Sequence, residues 1–285
     1  MKPDISVIIP TFNRKDSLST AVDSILNQTF HNWELIVVDD GSTDQTRELM
    51  MSFLLDSRIK YLYQENAGVS SARNHGAKKA NSEWLIFLDS DDELTKNALM
   101  HFNDHINSGP DHLLFIAGNS QINSSSRVVK LPKKGEYYPY LSGTFCLNKG
   151  VFLKVGGYDP RFLFSENTEL FHRIRLDSTK VCYLSEVSLI YNENSNGGSK
   201  NLQNMIDSNL LFLEKHENTM ADHVKYLYHQ IIGVNQMRFC RYSEARKHLW
   251  KAYKLKPTKM MTLGRLLISN IPPLAQILYP LAIKG

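Results

Sequence analysis

The sequence predicts an α/β protein, a mostly parallel sheet flanked by helices, followed by an α-helical C-terminal extension. Three observations carry this. Short apolar runs recur at Ile5–Ile9, Leu35–Val38, Ile59–Tyr63 and Trp84–Leu88, each of strand length and each followed by polar residues. Between them apolar residues fall at helical spacing, and strand-helix alternation of this kind builds a parallel sheet with right-handed crossovers. Beyond residue 200 the strand pattern stops and helical patterns follow to the end. The expected division is 1–200 for the α/β domain and 201–285 for the extension.

Taken in order, Ile5–Ile9 is a strand closed by Pro10-Thr11, and Leu18, Ala21, Val22, Ile25 and Leu26 give the next helix its apolar face. Leu35–Val38 is a second strand ending in Asp39-Asp40-Gly41, with Ser42 and Gln45 spaced as a capping box. A third strand over Ile59–Tyr63 leads through Asn66-Ala67-Gly68-Val69 into a helix carrying Ala72, Ala77 and Ala80. Trp84–Leu88, five apolar residues in a row, reads as a strand buried on both faces. A helix is expected from about Thr95 to Asn107, then a strand over Leu113–Ile116 and a hairpin tip at Asn123–Ser126 between Gln121 and Val129. Tyr137, Tyr138 and Tyr140 cluster, as at a core edge or a stacking platform. Gly156-Gly157-Tyr158-Asp159 is a tight turn, and Ser165 to Arg175 a helix with Leu170, Ile174 and Leu176 on its buried side.

From Asn192 to Lys200 the composition turns to Asn, Ser and Gly, which suits a plain linker or a lid. Helices are expected over 202–216, 223–239, 243–254 and 260–271. Ala245, Leu249 and Ala252 supply the small and apolar packing positions of a helical hairpin. The stretch Leu263–Ile283 is apolar but broken by Asn270, Pro272, Pro273 and Pro280, so it does not span a membrane. With Lys254, Lys256, Lys259 and Arg265 before it, it either lies on an anionic membrane surface or packs on the protein.

Composition narrows the function classes. Hydrophobic residues at 42% and charged residues at 22% are those of a soluble globular protein, and a net charge of +4 is too mild to indicate nucleic acid. Cys146, Cys182 and Cys240 are odd in number and far apart, without CxxC spacing, as expected of a reducing, cytosolic compartment. Met1 runs straight into the first strand, which leaves no room for a signal peptide.

The chemistry concentrates after the fourth strand. Asp89, Asp91 and Asp92 place three carboxylates within four positions, where they repel one another unless a cation or polar ligand sits between them. A solvated acidic turn capping the helix near Thr95 is the structural alternative. Three other polar clusters, Pro10-Thr11-Phe12-Asn13, Asp39-Asp40-Gly41-Ser42 and Asn66-Ala67-Gly68, follow earlier strands, and parallel topology brings all four to one sheet edge. No Gly-rich turn follows the first strand, where Pro10-Thr11-Phe12-Asn13-Arg14 contains no glycine, against a nucleotidyltransferase, and no GxGxxG follows any strand, against a dinucleotide-binding oxidoreductase.

Together these segments resemble the family 2 inverting glycosyltransferases of the GT-A fold. The resemblance covers roughly residues 5–195: Ser6–Asn13 resembles the opening strand, Val37–Asp44 the second, Asn66–Gly76 the segment before the metal motif, and Asp89-Ser90-Asp91-Asp92 the DxD motif. It implies that Pro10, Thr11 and Asp40 line the nucleoside pocket, with Asp40 accepting a hydrogen bond from the base, and that Asn13 and Gly68 belong to the same nucleotide site. Asp89 would hold the ribose side, and Asp91 and Asp92 would place Mn²⁺ or Mg²⁺ against the diphosphate, with Arg73 adding positive charge. The implied reaction moves a sugar with inversion from a nucleotide-diphospho-sugar donor, UDP-linked by expectation, to a glycan or lipid-linked acceptor. The implied base is the Asp of a Glu-Asp pair, but the pair here reads Glu166-Asn167, so Glu166 or Glu169 serves instead, or the chain is a non-catalytic sugar-nucleotide-binding or assembly subunit. The Asn192–Lys200 loop lacks the metal-binding His such enzymes often carry there, so that either Asn194 or Ser195 contacts phosphate instead or the metal is held by fewer protein ligands.

Overall fold

The computed structural model describes residues 2–109, 111–122, 126–192 and 201–281. The chain forms two compact units, Met1–Arg161 with Glu166–Ser195, and Phe162–Ser165 with Asn196–Gly285.

The first unit opens with β1 (Ile5–Thr11), α1 (Leu18–Leu26), β2 (Trp33–Asp39), α2 (Thr46–Phe53), β3 (Ile59–Tyr63), α3 (Val69–Lys79) and β4 (Trp84–Phe87). These strands lie in the order β3-β2-β1-β4, all parallel, with Ile8 opposite both Ile36 and Phe87. Every residue of β1 and β2 is buried because both faces are covered. The pleat sorts the side chains: Val7, Ile9, Leu35, Val37 and Ile86 pack with Leu18, Val22 and Ile25 of α1, whereas Ile8, Ile36, Val38, Leu85 and Phe87 pack with Ala72 and Ala77 of α3. The small residues of α3 let it lie close on the sheet. A Cβ at Gly76 would stand 2.5 Å from Ile8 Cγ2 and 3.1 Å from Val38 Cγ2.

The unit continues with β5 (Glu93–Leu94), α4 (Ala98–Ser108), β6 (Leu114–Ile122), β7 (Arg127–Lys130), β8 (Phe145–Asn148), α5 (Lys149–Lys154), α6 (Glu166–Leu176) and β9 (Val181–Asn192). The full sheet runs β3-β2-β1-β4-β8-β6-β9-β5, with β7 on β6. Parallel pairing stops at β4, since β8 is antiparallel to both β4 and β6, and β5 to β9, while β6 and β9 are parallel. The sheet is therefore mixed. Because β6 keeps the direction of β4, its carboxyl end and that of β9 rise beside the loop that follows β4.

Several local expectations are corrected. Ser42 and Gln45 form no capping box: α2 starts at Thr46, whose N–H and hydroxyl both donate to Asp44 Oδ1, at 2.9 and 2.5 Å. The helix expected from Thr95 starts at Ala98, because Thr95 instead donates its N–H to Ser188 O and its hydroxyl to Val187 O. Its N-cap is Asn97 with no side-chain cap bond, so the acids before it do not cap it. Leu170 and Ile174 are buried on α6, but Leu176 is 53% exposed. Strands β8 and β9 and helix α5 were not anticipated. The β6–β7 hairpin forms, with its tip at 123–125 outside the described residues.

The second unit holds α7 (Leu202–His216), α8 (Asp222–Arg238), α9 (Tyr242–Leu255), α10 (Met260–Ile268) and α11 (Pro272–Leu278). Phe162 meets Phe212 edge-on at 6.3 Å, and Phe212 stacks on Tyr228 at 4.8 Å, which ties the segment Phe162–Ser165 to α7 and α8. Helices α8 and α9 approach through Gly233, where a Cβ would stand 2.7 Å from Leu249 Cγ, and Ala245, Leu249 and Ala252 are fully buried as their spacing predicts. Among the described residues no helix is long and apolar enough to cross a membrane.

Candidate active site

The loops after β1 and β2 are knitted together by Asn13. Its Oδ1 accepts from Thr43 N at 2.8 Å and Asp44 N at 3.3 Å, and its own N–H donates to Ser42 Oγ at 2.9 Å. The backbone there is left-handed, φ 52°, a conformation Asn tolerates. Pro10 and Thr11 are buried at the end of β1, and Thr11 Oγ1 has no partner among the described residues. Asp40, 4% exposed, fastens the next loop: Oδ1 accepts from Ala67 N at 2.9 Å and Gln64 Nε2 at 2.7 Å, and Oδ2 from Gly68 N at 2.8 Å. Gly68 turns at φ 89° to present that N–H. A carboxylate offers about four acceptor positions, so three are spent within the chain and one is left for a ligand.

The acidic loop is held from two sides. Arg73 on α3, 2% exposed, donates from Nη2 to Asp89 Oδ1 at 2.6 Å and to Ser142 Oγ at 3.0 Å, and from Nη1 to Glu166 Oε1 at 2.8 Å. One guanidinium thus joins the first acid of the DSDD stretch to the first residue of α6. From the other side Asn192, the last residue of β9, donates its N–H to Asp92 Oδ1 at 2.9 Å and its amide to Asp91 O at 3.1 Å. Asp92 is 3% exposed; burial, then the charge of Asp89, push its carboxyl up to about 8 against the Asn192 hydrogen bond, with Asp91 and Glu93 adding to the rise.

These residues fit a divalent cation in kind: carboxylate oxygens are hard donors, and the crowding that raises Asp92 is what a cation would relieve. Among the described residues no three His, Cys, Asp or Glu side chains form a ready cage. Asp91 and Asp92 would therefore supply only part of a coordination shell.

Glu166 and Glu169, the two candidate bases, sit in different surroundings. Glu169 is fully buried and takes a bidentate ion pair from Arg173, Nε to Oε1 at 2.9 Å and Nη2 to Oε2 at 2.6 Å. Arg173 also donates to Val155 O and, at 2.7 Å, to Gly157 O, so this pair clamps α6 onto the Gly-Gly-Tyr turn. Glu166 lies one turn earlier, beside Asp89 on Arg73. Asn167 accepts the hydroxyl of the buried Tyr158 at 2.8 Å through Oδ1.

Sequence reasoning missed three members of this frame. Asn74 clasps the backbone of Tyr158 from both sides, Nδ2 to O at 2.8 Å and Tyr158 N to Oδ1 at 2.9 Å, and a Cβ at Gly157 (φ 66°) would lie 2.6 Å from that Oδ1. Ser142 carried only the weak turn signal of Ser-Gly, and Asn192 fell in the stretch read as a linker. The neighbouring loop positions Asn194 and Ser195 lie outside the described residues.

Known proteins are similar to this chain in sequence and in fold. The glucosyltransferase WfgD of Escherichia coli, named as a UDP-Glc:α-D-GlcNAc-diphosphoundecaprenol β-1,3-glucosyltransferase, is 39% identical over 150 residues, 50% of this chain and 58% of its own. Among solved structures, S. aureus TarS 1–349 in complex with UDP-GlcNAc superposes with a TM-score of 0.65 at 18% identity, covering 96% of this chain and 86% of that one. A mannosyltransferase of Pyrobaculum calidifontis in complex with GDP-Man and Mn²⁺ gives 0.63 at 13% identity, covering 97% and 87%. These two share the GT-A fold with it. The chain spans about a fifth of the length of the first curated relatives it matches. The family model described as Glycosyl transferase family 2 matches residues 6–161, more than half of the sequence and nearly the whole stretch from β1 to the Gly-Gly-Tyr turn. The chain belongs to glycosyltransferase family 2.

Proposed function

We infer that this chain transfers a sugar, with inversion, from a UDP-linked donor to a lipid-linked saccharide acceptor, using Mn²⁺ or Mg²⁺. The observation that carries the reading is the Arg73 bridge, which sets the Glu166 carboxylate beside the acidic loop where a donor diphosphate would lie. In the proposed step an acceptor hydroxyl attacks the anomeric carbon from the face opposite the diphosphate. The new C–O bond forms as the bond to the diphosphate breaks, the hydroxyl proton passes to Glu166, and the electron pair leaves on the nucleoside diphosphate. The cation supplies charge neutralisation for that leaving group, and Asp91 and Asp92 are the residues to hold it. Pro10, Thr11, Asn13, Asp40 and Gly68 shape the nucleoside end, and Asp89 the ribose side. Glu169 acts on the position of α6 rather than on the acceptor.

The choice of a UDP donor and a diphospholipid-linked acceptor is supported by the activity for which WfgD is named, and UDP also by the UDP-GlcNAc complex of the TarS fold neighbour. A cytoplasmic place at the inner face of the plasma membrane suits such an acceptor. In the helical unit Met260, Met261, Leu267, Ile271 and Ile277 are 50–76% exposed beside Lys254, Lys256, Lys259 and Arg265, the composition of a surface that rests on anionic lipid. Ile283, the end of the stretch read as interfacial, lies outside the described residues. A second reading, a non-catalytic sugar-nucleotide binder or assembly subunit, is favoured by one observation: an amide stands at position 167 and is already bonded to Tyr158.

The test is release of free nucleotide from a panel of UDP-, GDP- and CDP-sugars with Mn²⁺ and a polyprenyl-diphosphate-linked sugar, comparing wild type with Glu166→Gln. Release from a UDP-sugar, lowered about 10²-fold or more in the variant, is the expected result. Nucleotide binding without release from any donor would favour the binder.

A further inference from the structure

The carboxylate of Asp40 is satisfied unevenly. Its Oδ1 takes two donors, Gln64 Nε2 at 2.7 Å and Ala67 N at 2.9 Å, whereas Oδ2 takes only Gly68 N at 2.8 Å. Each carboxylate oxygen has about two acceptor positions, so Oδ1 is closed and the free position is on Oδ2. Of the two donors on Oδ1, one is backbone and the other is a side chain with no part in the transfer step. Ala67 is exposed and Gln64 and Gly68 are half-buried, which puts this carboxylate one layer beneath the surface.

Gln64 is itself held in one orientation. Its backbone N–H donates to Asp39 O at 2.9 Å, its Oε1 lies 3.0 Å from His75 Nδ1, and its Nε2 also lies 3.4 Å from Ser71 Oγ. An ionised carboxylate only accepts, so the amide turns its NH₂ to Asp40 and its carbonyl to His75. An amide carbonyl only accepts as well, which places the imidazole proton on Nδ1. Ser71 and His75 stand four residues apart on α3 and so share one face of that helix. The sequence of donors, His75 to Gln64 to Asp40, fixes which oxygen of the carboxylate is closed.

The edge of a nucleobase reads this difference. Uracil presents one donor, N3–H, between two carbonyl oxygens, and so suits one open acceptor beside a covered one; a second bare oxygen would face a carbonyl. Guanine presents N1–H and an N2–H side by side and asks for both oxygens of a carboxylate. Cytosine presents an acceptor at N3 in place of the donor. We propose that Gln64, positioned by His75, sets the nucleobase preference of the donor site by closing Oδ1 of Asp40, so that the site takes uracil and refuses guanine. This rests on the reading of Asp40 as the acceptor for the base, and adds the two residues that decide between bases.

The full chain is titrated by calorimetry with UDP, CDP and GDP in the presence of Mn²⁺. Wild type is expected to bind UDP about tenfold or more tighter than either of the others. Gln64→Met keeps the length of the side chain without its amide; it is expected to weaken UDP and strengthen GDP, so that the ratio of the two affinities falls by about tenfold or more. His75→Phe keeps a ring but lets the amide turn, and is expected to lower the same ratio by roughly threefold. A ratio of affinities does not depend on how much of the protein is folded, so lost stability in a variant cannot imitate the result. An unchanged ratio in Gln64→Met, including equal weakening of all three nucleotides as a merely structural role would give, would overturn the proposal. So would wild type binding GDP as tightly as UDP. Wild type that binds none of the three would defeat the donor reading and the proposal together, whereas UDP binding with an unchanged ratio defeats the proposal alone.

Discussion

Replacing Arg73 with Leu tests the central ion bridge, and its cost follows from what is left behind. Arg73 is 3% exposed in its side chain; its partners Glu166 and Asp89 are 18% and 39% exposed. Without the cation, Asp89 can still turn to water, but Glu166 is a largely buried carboxylate without its counter-charge, and Ser142 Oγ loses its donor. Breaking a buried pair from one side costs about 3–5 kcal/mol, and with Asp89 partly hydrated the lower part of that range applies, about 3–4 kcal/mol. For a unit of this size that lowers the melting temperature by roughly 6–16 °C. The second perturbation, Arg73→Leu with Glu166→Leu, removes both charges and refills the space with apolar side chains, which is commonly neutral or stabilising. Thermal denaturation followed by circular dichroism is expected to show the double variant recovering most of the loss, while nucleotide release stays abolished. A single variant as stable as wild type, or a double variant no more stable than the single, would refute the view that Glu166 is held in place by Arg73.

Three further outcomes are expected. Asn167→Asp keeps an acceptor for Tyr158 OH and, with Glu166 as base, changes the rate of nucleotide release by less than a few-fold; a rise of tenfold or more would move the base to position 167. Gly76→Ala drives a methyl to 2.5 Å from Ile8 Cγ2, so α3 must lift from the sheet at a cost of about 1–3 kcal/mol, and because Arg73 and Asn74 ride on that helix UDP affinity measured by calorimetry is expected to fall with the melting temperature. At the opposite sheet edge, Glu34 is under a burial penalty, but hydrogen bonds from Lys60 Nζ, Ser6 Oγ and Asn81 N outweigh it and hold its carboxyl below the ordinary 4.5. Its stabilisation is therefore complete above pH 4.5 and is lost as pH falls through the lowered value, so denaturation series between pH 3 and 7 are expected to give a flatter profile for Glu34→Gln than for wild type.

The parallel half of the sheet was legible because β1, β2 and β4 are built on short, nearly continuous apolar runs, a pattern that burial on both faces imposes. Strand β9 was not, because Val181–Asn192 mixes Ser185, Glu186 and Ser188 with apolar residues and its register with β6 shifts between Ile116 and Asn119, which breaks the period of two. The four loops of the site were legible from topology, but their internal wiring was not: Asp40 and Asn13 are acceptors for backbone N–H groups brought in from other loops, and no local spacing records such a partner. The burial of Glu169 on Arg173 was not read from the sequence, although a signal existed. Arg173 stands four residues after it, the spacing at which a helical acid and base pair, and Leu170 beside it marks the buried face.

The frame around position 167 does not depend on an acid there. Helix α6 is fixed by Glu169 and Arg173 to the carbonyls of Val155 and Gly157; the turn containing Gly157 is fixed in turn by Asn74, and Asn74 is the neighbour of Arg73 on α3. The circuit closes at Glu166, whose carboxylate returns to Arg73. Each link is a buried or half-buried hydrogen bond to a charge or to backbone, so the first turn of α6 is positioned before any ligand arrives. An Asn at 167 satisfies Tyr158 OH as well as an Asp would, at no cost of burying a second charge beside Glu166 and Asp89. The substitution therefore preserves the fold of the site while leaving Glu166 as the carboxylate of that turn nearest the acidic loop. It also explains why Arg73 needs small neighbours: Ala72, Gly76 and Ala77 bring the helix axis close enough to the sheet for one guanidinium to reach the end of β4 and the start of α6 at once.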